Sequence, residues 1–214
     1  MKTLALELST ARGSVAWLDG DTEISREWPN DRKNSAAFFE SIDTVAKKFG
    51  APDVIVVGLG PGSYAGTRIA ISTAIGLSLG GGTGSVPSLE LGRHGGRPSI
   101  NLIGYPSICA MEGNEYCVVG DARRSSFFFA HVRGNALVEG PTLFAETEVK
   151  DRIRDLDPDL PIFASEMLSQ FERAVVRFPA ALILARLAQK PEHGFSLPPL
   201  EPMYLREPHI TTPK

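Results

Sequence analysis

Membrane anchors, disulfide scaffolds and local metal sites all leave marks that this sequence lacks. No apolar run approaches the roughly 18 residues of a spanning helix, and no charged-then-apolar leader opens the chain. The expectation is a soluble, unexported, cytoplasmic protein with no membrane partner. Two cysteines, Cys109 and Cys117, are too few for a disulfide framework. The four histidines (His94, His131, His193 and His209) pair neither with each other nor with a cysteine at three- or four-residue spacing. That argues against a zinc site built from neighbouring ligands. Positive charge is not in excess either: the formal net charge is −3 over 214 residues. A domain that grips nucleic acid by itself is usually basic. No Gly-Lys pair occurs, so the chain has no Walker A loop.

What is present centres on Asp53 to Gly80, DVIVVGLGPGSYAGTRIAISTAIGLSLG. Val54 to Gly58 reads as a buried strand. It runs into Gly58, Gly60 and Gly62 around Pro61, a turn that permits positive φ. Ser63 stands where an N-cap belongs, ahead of a helix that Gly80 to Gly82 end. Backbone N–H groups at such a helix start attract anions, so Gly60 and Gly62 are candidate anion ligands. Gly60-x-Gly62-x-x-x-Gly66 is a loose Rossmann variant, but no strand ends in an acid about 20 residues on. A plain strand-to-helix connection is the simpler reading. Within the helix, Ala70, Ala74 and Ser78 recur every four residues, as do Ser72, Gly76 and Gly80. Such rows let a second backbone come close. They fit packing on the chain's own sheet or a contact with another subunit.

The other elements follow from local signals. Thr3–Leu8, Ser14–Leu18 and Thr22–Trp28 read as strands, with a hairpin at Asp19-Gly20-Asp21. Asn34 or Ser35 caps a helix to Phe49. Residues 81–99 are rich in Gly, Ser and Pro and read as a surface loop. Strands are expected at Ile100–Gly104, Tyr116–Gly120, Ser126–Arg133, Ala136–Glu139 and Pro161–Ala164. One or two helical turns are expected at Pro106–Met111, with helices at 147–155 and Pro179–Gln189 and an extended tail from Pro198. His131 falls on a strand as a surface or half-buried residue. Sliding the chain by 114 residues sets Glu7 on Asp121, Ala16 on Ala130 and Gly20 on Gly134. That echo predicts two similar α/β halves, 1–105 and a smaller 106–214, with two acidic turns facing a cleft.

Leu4-Ala5-Leu6-Glu7-Leu8-Ser9-Thr10 followed by Gly60-Pro61-Gly62-Ser63-Tyr64-Ala65-Gly66-Thr67-Arg68-Ile69 resembles the bacterial TsaB family. Asp121-Ala122-Arg123-Arg124 and Met203-Tyr204-Leu205-Arg206 resemble its further landmarks in the same order. The resemblance implies an α/β fold of two RNase H-like halves, as in the actin-like ATPase (ASKHA) superfamily. It also implies a non-catalytic subunit that binds TsaD, with TsaE, in threonylcarbamoyladenosine modification of ANN-decoding tRNAs. The tRNA would be met only through the complex, and the lone protein would form a homodimer.

The implied subunit contact comprises Ser63, Tyr64, Thr67, Arg68, Ala70, Ile71, Ser72, Ala74, Ile75 and Gly76, with Ser35 and Phe39 from the preceding helix. Glu7, Ser9, Thr10, Gly60, Gly62 and Asp121 are the candidate nucleotide or anion residues. No cofactor is required on this reading, although ATP or ADP could sit at the subunit interface. No metal is expected, since the His-x-x-x-His pair of TsaD-type proteins is absent. Three departures stand out: Glu7 where the family usually has Asp, Asn34-Ser35 in place of His-Ser, and the added loop 81–99. The competing readings are a small ATP-using phosphotransferase with Glu7 and Asp121 flanking a cleft, and a stand-alone homodimeric binding module.

Overall fold

A computed structural model describes residues 1–30, 35–80, 100–190 and 192–206. Residues 81–99, expected to form a surface loop, and Asn34 lie outside the described residues. The chain forms two five-stranded mixed sheets with helices packed on them. The first sheet holds β1 (Thr3–Glu7), β2 (Arg12–Asp19), β3 (Thr22–Pro29), β4 (Val54–Gly58) and β5 (Asn101–Tyr105) in the order β3-β2-β1-β4-β5. The second holds β6 (Glu115–Asp121), β7 (Ser126–Arg133), β8 (Ala136–Ala145), β9 (Ile162–Ala164) and β10 (Ala174–Val176) in the order β10-β9-β6-β7-β8. Read from the other edge, the second order repeats the first. Each half has two antiparallel hairpin pairings followed by two parallel ones. This is the two-halved actin-like architecture.

The duplication is visible residue by residue. An offset of 114 carries Arg12 onto Ser126 and Asp19 onto Arg133, the two ends of β2 and of β7. The following Gly20 and Gly134 both have φ of 56°. One detail of the sequence alignment is corrected. Glu7 pairs with Ser14, and the counterpart of Ser14, Phe128, pairs with Gly120 rather than Asp121. The connection after β6 is one residue longer between these paired positions, so Asp121 takes the place of Leu8. A shift of one residue reverses the face of a strand. Glu7 therefore shares the inner face of Ala5, while Asp121 shares the opposite face with Cys117 and Val119.

Strands β1 and β4 are buried at every residue because both faces are covered. On one face α1 (Ala36–Phe49) and α2 (Tyr64–Gly80) pack over Leu4, Leu6, Val15, Trp17, Ile55 and Val57. On the other, α4 (Ala181–Leu187) brings Ala181, Leu184 and Ala185 against Ala5, Ala16 and Val56. The same cluster contains Tyr116, Val118 and Ala130 of the second sheet, so one core joins the halves. α3 (Glu146–Asp155) covers the outer face of the second sheet through Val149 and Ile153. Between β9 and β10 there are only turns, where the first half has α2.

Two local expectations change. Pro106–Met111 holds a single 3-10 turn, Ser107–Cys109, and the good helix at Pro179–Gln189 shortens to Ala181–Leu187. Ser35 starts α1 without a side-chain cap, and its carbonyl instead accepts the N–H groups of Phe38 and Phe39.

Candidate functional site

The glycine turn after β4 is a joint between three backbones. Ser63 caps α2 as its position requires, its Oγ accepting the Gly66 N–H at 3.3 Å. Its own N–H donates to the Ser9 carbonyl at 2.5 Å. A Cβ on Gly62 would collide with that Ser9 carbonyl, and one on Gly66 would run into the Leu8 carbonyl oxygen. The glycines are therefore needed so that the β1–β2 turn can lie directly against the start of α2. The consequence is chemical: the Ser63 N–H at the helix start is taken by the chain's own Ser9 carbonyl and is not free for an anion.

Glu7 sits beneath this joint. It is 0% exposed, and a Cβ on Gly58 would collide with its Oε2. Its Oε1 accepts the Ser9 N–H at 2.6 Å. Ser107, also fully buried, links the group to the turn: its Oγ accepts the Gly60 N–H at 2.9 Å, and its N–H donates to the Gly60 carbonyl at 2.8 Å. Burial pushes the Glu7 carboxyl above its ordinary range, opposed by the Ser107 and Ser9 hydrogen bonds. Glu7 is an interior acid tied to the turn, and the expectation that it faces a cleft is corrected. Asp121 is likewise engaged locally: its carboxylate accepts the Arg123 N–H at 2.6 Å and pairs with the Arg123 guanidinium at 3.2 Å. Arg123, Arg124 and Ser125 are held at φ of 66°, 53° and 55° in that turn.

A cavity of about 470 Å³ opens beside the joint, lined by Ser9, Thr10, Asn30, Gly62, Ser63, Tyr64, Arg123, Ser165 and Glu166. Three of the six candidate nucleotide or anion residues, Ser9, Thr10 and Gly62, thus share a cavity wall. Glu7, Gly60 and Asp121 are not in it. Asn30 braces the wall by donating to the carbonyls of Leu8 and Thr10 at 3.4 and 2.9 Å. A second cavity of about 180 Å³ lies between the halves under the tail, with Thr67, Arg123, Phe128, Met203 and Tyr204 among its walls. Both cysteines are buried free thiols, pushed up to about 12 for Cys109 and about 11 for Cys117, so neither is poised as a nucleophile. Among the described residues, no three His, Cys, Asp or Glu side chains gather to hold a metal ion. No described helix is long and apolar enough to cross a membrane.

The candidate interface residues divide into two faces. Ala70 and Ala74 are 0% exposed and pack with Ile71 on the chain's own sheet, and Thr67 is also buried. These four are corrected: they already have their neighbours in this chain. The second row turns outward. Tyr64, Arg68, Ser72, Ile75 and Gly76 are exposed, and a Cβ on Gly76 would meet nothing within 4 Å. Ser35 and Phe39 of α1 are exposed as well, and Ser63 is half-buried. The outward stripe also includes Ile69 and Leu79, which the small-residue pattern missed. Their spacing from Ser72 and Ile75 would have found them. α2 carries no acidic residue and only one basic one, so it is apolar on nearly every side.

The fold and joint define a two-halved chain of actin-like fold whose central helix, among the described residues, leaves Ile69, Ile75 and Leu79 exposed. No family model matches the chain. The Mycobacterium leprae protein ML0378, itself described as uncharacterized, is 28% identical over 156 residues. That match covers 73% of this chain and 38% of the relative, so the chain spans well under half the length of that protein. A Pseudomonas aeruginosa crystal structure described as similar to the peptidase YeaZ has a TM-score of 0.69 at 18% identity, covering 96% of this chain and 99% of the other. YeaZ from Pseudomonas aeruginosa gives 0.67 at 19% identity, covering 95% and 99%. The fold is that of YeaZ along almost the whole chain.

Proposed function

We propose that this chain is a TsaB-type accessory subunit. It binds TsaD, with TsaE, and supports threonylcarbamoyladenosine modification of ANN-decoding tRNAs in the cytoplasm without doing the transfer chemistry itself. The observation that carries the reading is the outward face of α2, where Ile69, Ile75 and Leu79 are exposed beside Ser72 and Gly76. A helix that is apolar all round belongs in an interior, and here one side has nothing over it among the described residues. Two further observations support it: the GPGSYAGTRI stretch and the fold of YeaZ, which is TsaB. The same face serves a homodimer when TsaD is absent, and because a twofold contact sets one patch against itself, the two associations compete. The tRNA is met through the complex, and any ATP or ADP sits at a subunit interface rather than on Glu7.

The phosphotransferase reading is disfavoured by the buried Glu7 and by the Ser9 carbonyl on the start of α2. The test is light scattering on the protein alone and mixed with TsaD from the same organism. The expected result is a homo-oligomer that converts to a mixed complex. Independent behaviour at micromolar concentration, with TsaE and nucleotide also present, would refute the proposal.

A further inference from the structure

We propose that Arg68, held in place by Tyr64 and bordered by Tyr204, is the anchor that receives a carboxylate from the subunit docking on α2. The inference rests on reading that face as the TsaD-binding surface and names the chemistry at its polar end. Arg68 donates from Nη1 to the Tyr64 hydroxyl at 2.9 Å, and its guanidinium lies 5.1 Å from the centre of the same ring. A flexible side chain is thereby fixed before anything binds, which reduces the entropy lost on docking. The Tyr204 ring, on the segment whose Met203 N–H donates to the Leu59 carbonyl at 2.8 Å, lies 5.3 Å from Tyr64. Both tyrosines are about half exposed.

Two tyrosines and an arginine at the end of an apolar stripe are the composition that concentrates binding energy in protein interfaces. Among the described residues no carboxylate lies within ion-pair distance of Arg68. Six of the eleven other described arginines do have an ion-pair partner: Arg12, Arg133, Arg152 and Arg186 a glutamate, and Arg123 and Arg154 an aspartate. Burying an unpaired guanidinium under a docked apolar surface would be costly, so the partner must bring the counter-charge. A second copy placing its own α2 on this helix brings no acid, because α2 contains none. In a homodimer through this face the facing α2 leaves Arg68 without a counter-charge, so the anchor is filled when a different chain, with an Asp or Glu at the rim of an apolar patch, docks there.

The experiment measures the Kd for TsaD of the same organism at low and high salt, using wild type, Arg68→Gln, Arg68→Lys and Tyr64→Phe. Arg68→Gln is expected to weaken binding about tenfold or more and to flatten the salt dependence. Arg68→Lys keeps the charge without the fork and falls between. Tyr64→Phe keeps the ring but loses the hydroxyl, and should weaken binding while leaving the salt dependence in place. Melting temperatures should not move, since Arg68 is exposed. If wild type binds TsaD and Arg68→Gln binds equally well with the same salt slope, the anchor is refuted while the partner reading stands. If wild type does not bind, both fail. If Arg68→Gln weakens the homodimer as much as the mixed complex, the carboxylate belongs to a second copy and the proposal is overturned.

Discussion

Replacing Glu7 with glutamine should make the protein more stable at neutral pH, by an amount that grows with pH. In the unfolded chain the carboxyl ionises near its ordinary 4.5; in the folded chain burial raises that value. Between the two values the folded state holds a proton that the unfolded state has released. Stability then falls as pH rises, by about 1.4 kcal/mol for each pH unit separating the two values, and levels off above the folded-state value. Below pH 4.5 the group adds no slope. Glutamine has nearly the same shape, keeps an oxygen to accept the Ser9 N–H, and does not titrate. The assay is urea unfolding of wild type and Glu7→Gln at a series of pH values from about 4 to 8. The stability difference should move in the variant's favour as pH rises through that range. Parallel pH profiles would refute the reasoning, because they would mean that Glu7 is ionised inside the fold.

Gly66→Ala tests the joint between α2 and the β1–β2 turn. Its Cβ would meet the Leu8 carbonyl, which is backbone and cannot swing aside, so a loss of about 1–3 kcal/mol in thermal or urea unfolding is expected. Wild-type stability in this variant would mean that the helix start stands further from the turn. Gly76→Ala should act in the opposite direction, because its Cβ meets nothing within 4 Å and alanine favours a helix over glycine by about 1 kcal/mol. At dilutions where the homodimer has dissociated, the melting temperature should rise. A drop would show that something already lies against this position in the isolated protein.

The strand–glycine–helix unit was readable because its signals are local: a β run, a turn residue set and an N-cap within about ten residues of one another. The duplication was readable too, since Gly20 and Gly134 mark equivalent hairpins. What failed was the last step of that alignment. The connection after β6 is one residue longer than the one after β1, and a one-residue slip is invisible in composition yet moves a carboxylate to the opposite face. The two small-residue rows on α2 were seen, but which of them faces the sheet depends on helix rotation. That rotation is set by Leu8 and Ser9 of a distant turn. Ser107 could not have been found, since its bond to Gly60 spans 47 residues. Leu79 could have been, from its three- and four-residue spacing to Gly76 and Ile75.

The order in which the chain is made gives α4 a further meaning. The first sheet is finished as a sheet once β5 exists, yet one of its faces has to wait for Ala181, Leu184 and Ala185, made some eighty residues later. Until then Ala5, Ala16 and Val56 have no helix over them. During synthesis that face of the first sheet therefore waits for the second half to be translated. A break between residues 105 and 181 would leave that apolar face uncovered, the kind of exposed surface that makes a chain prone to aggregate.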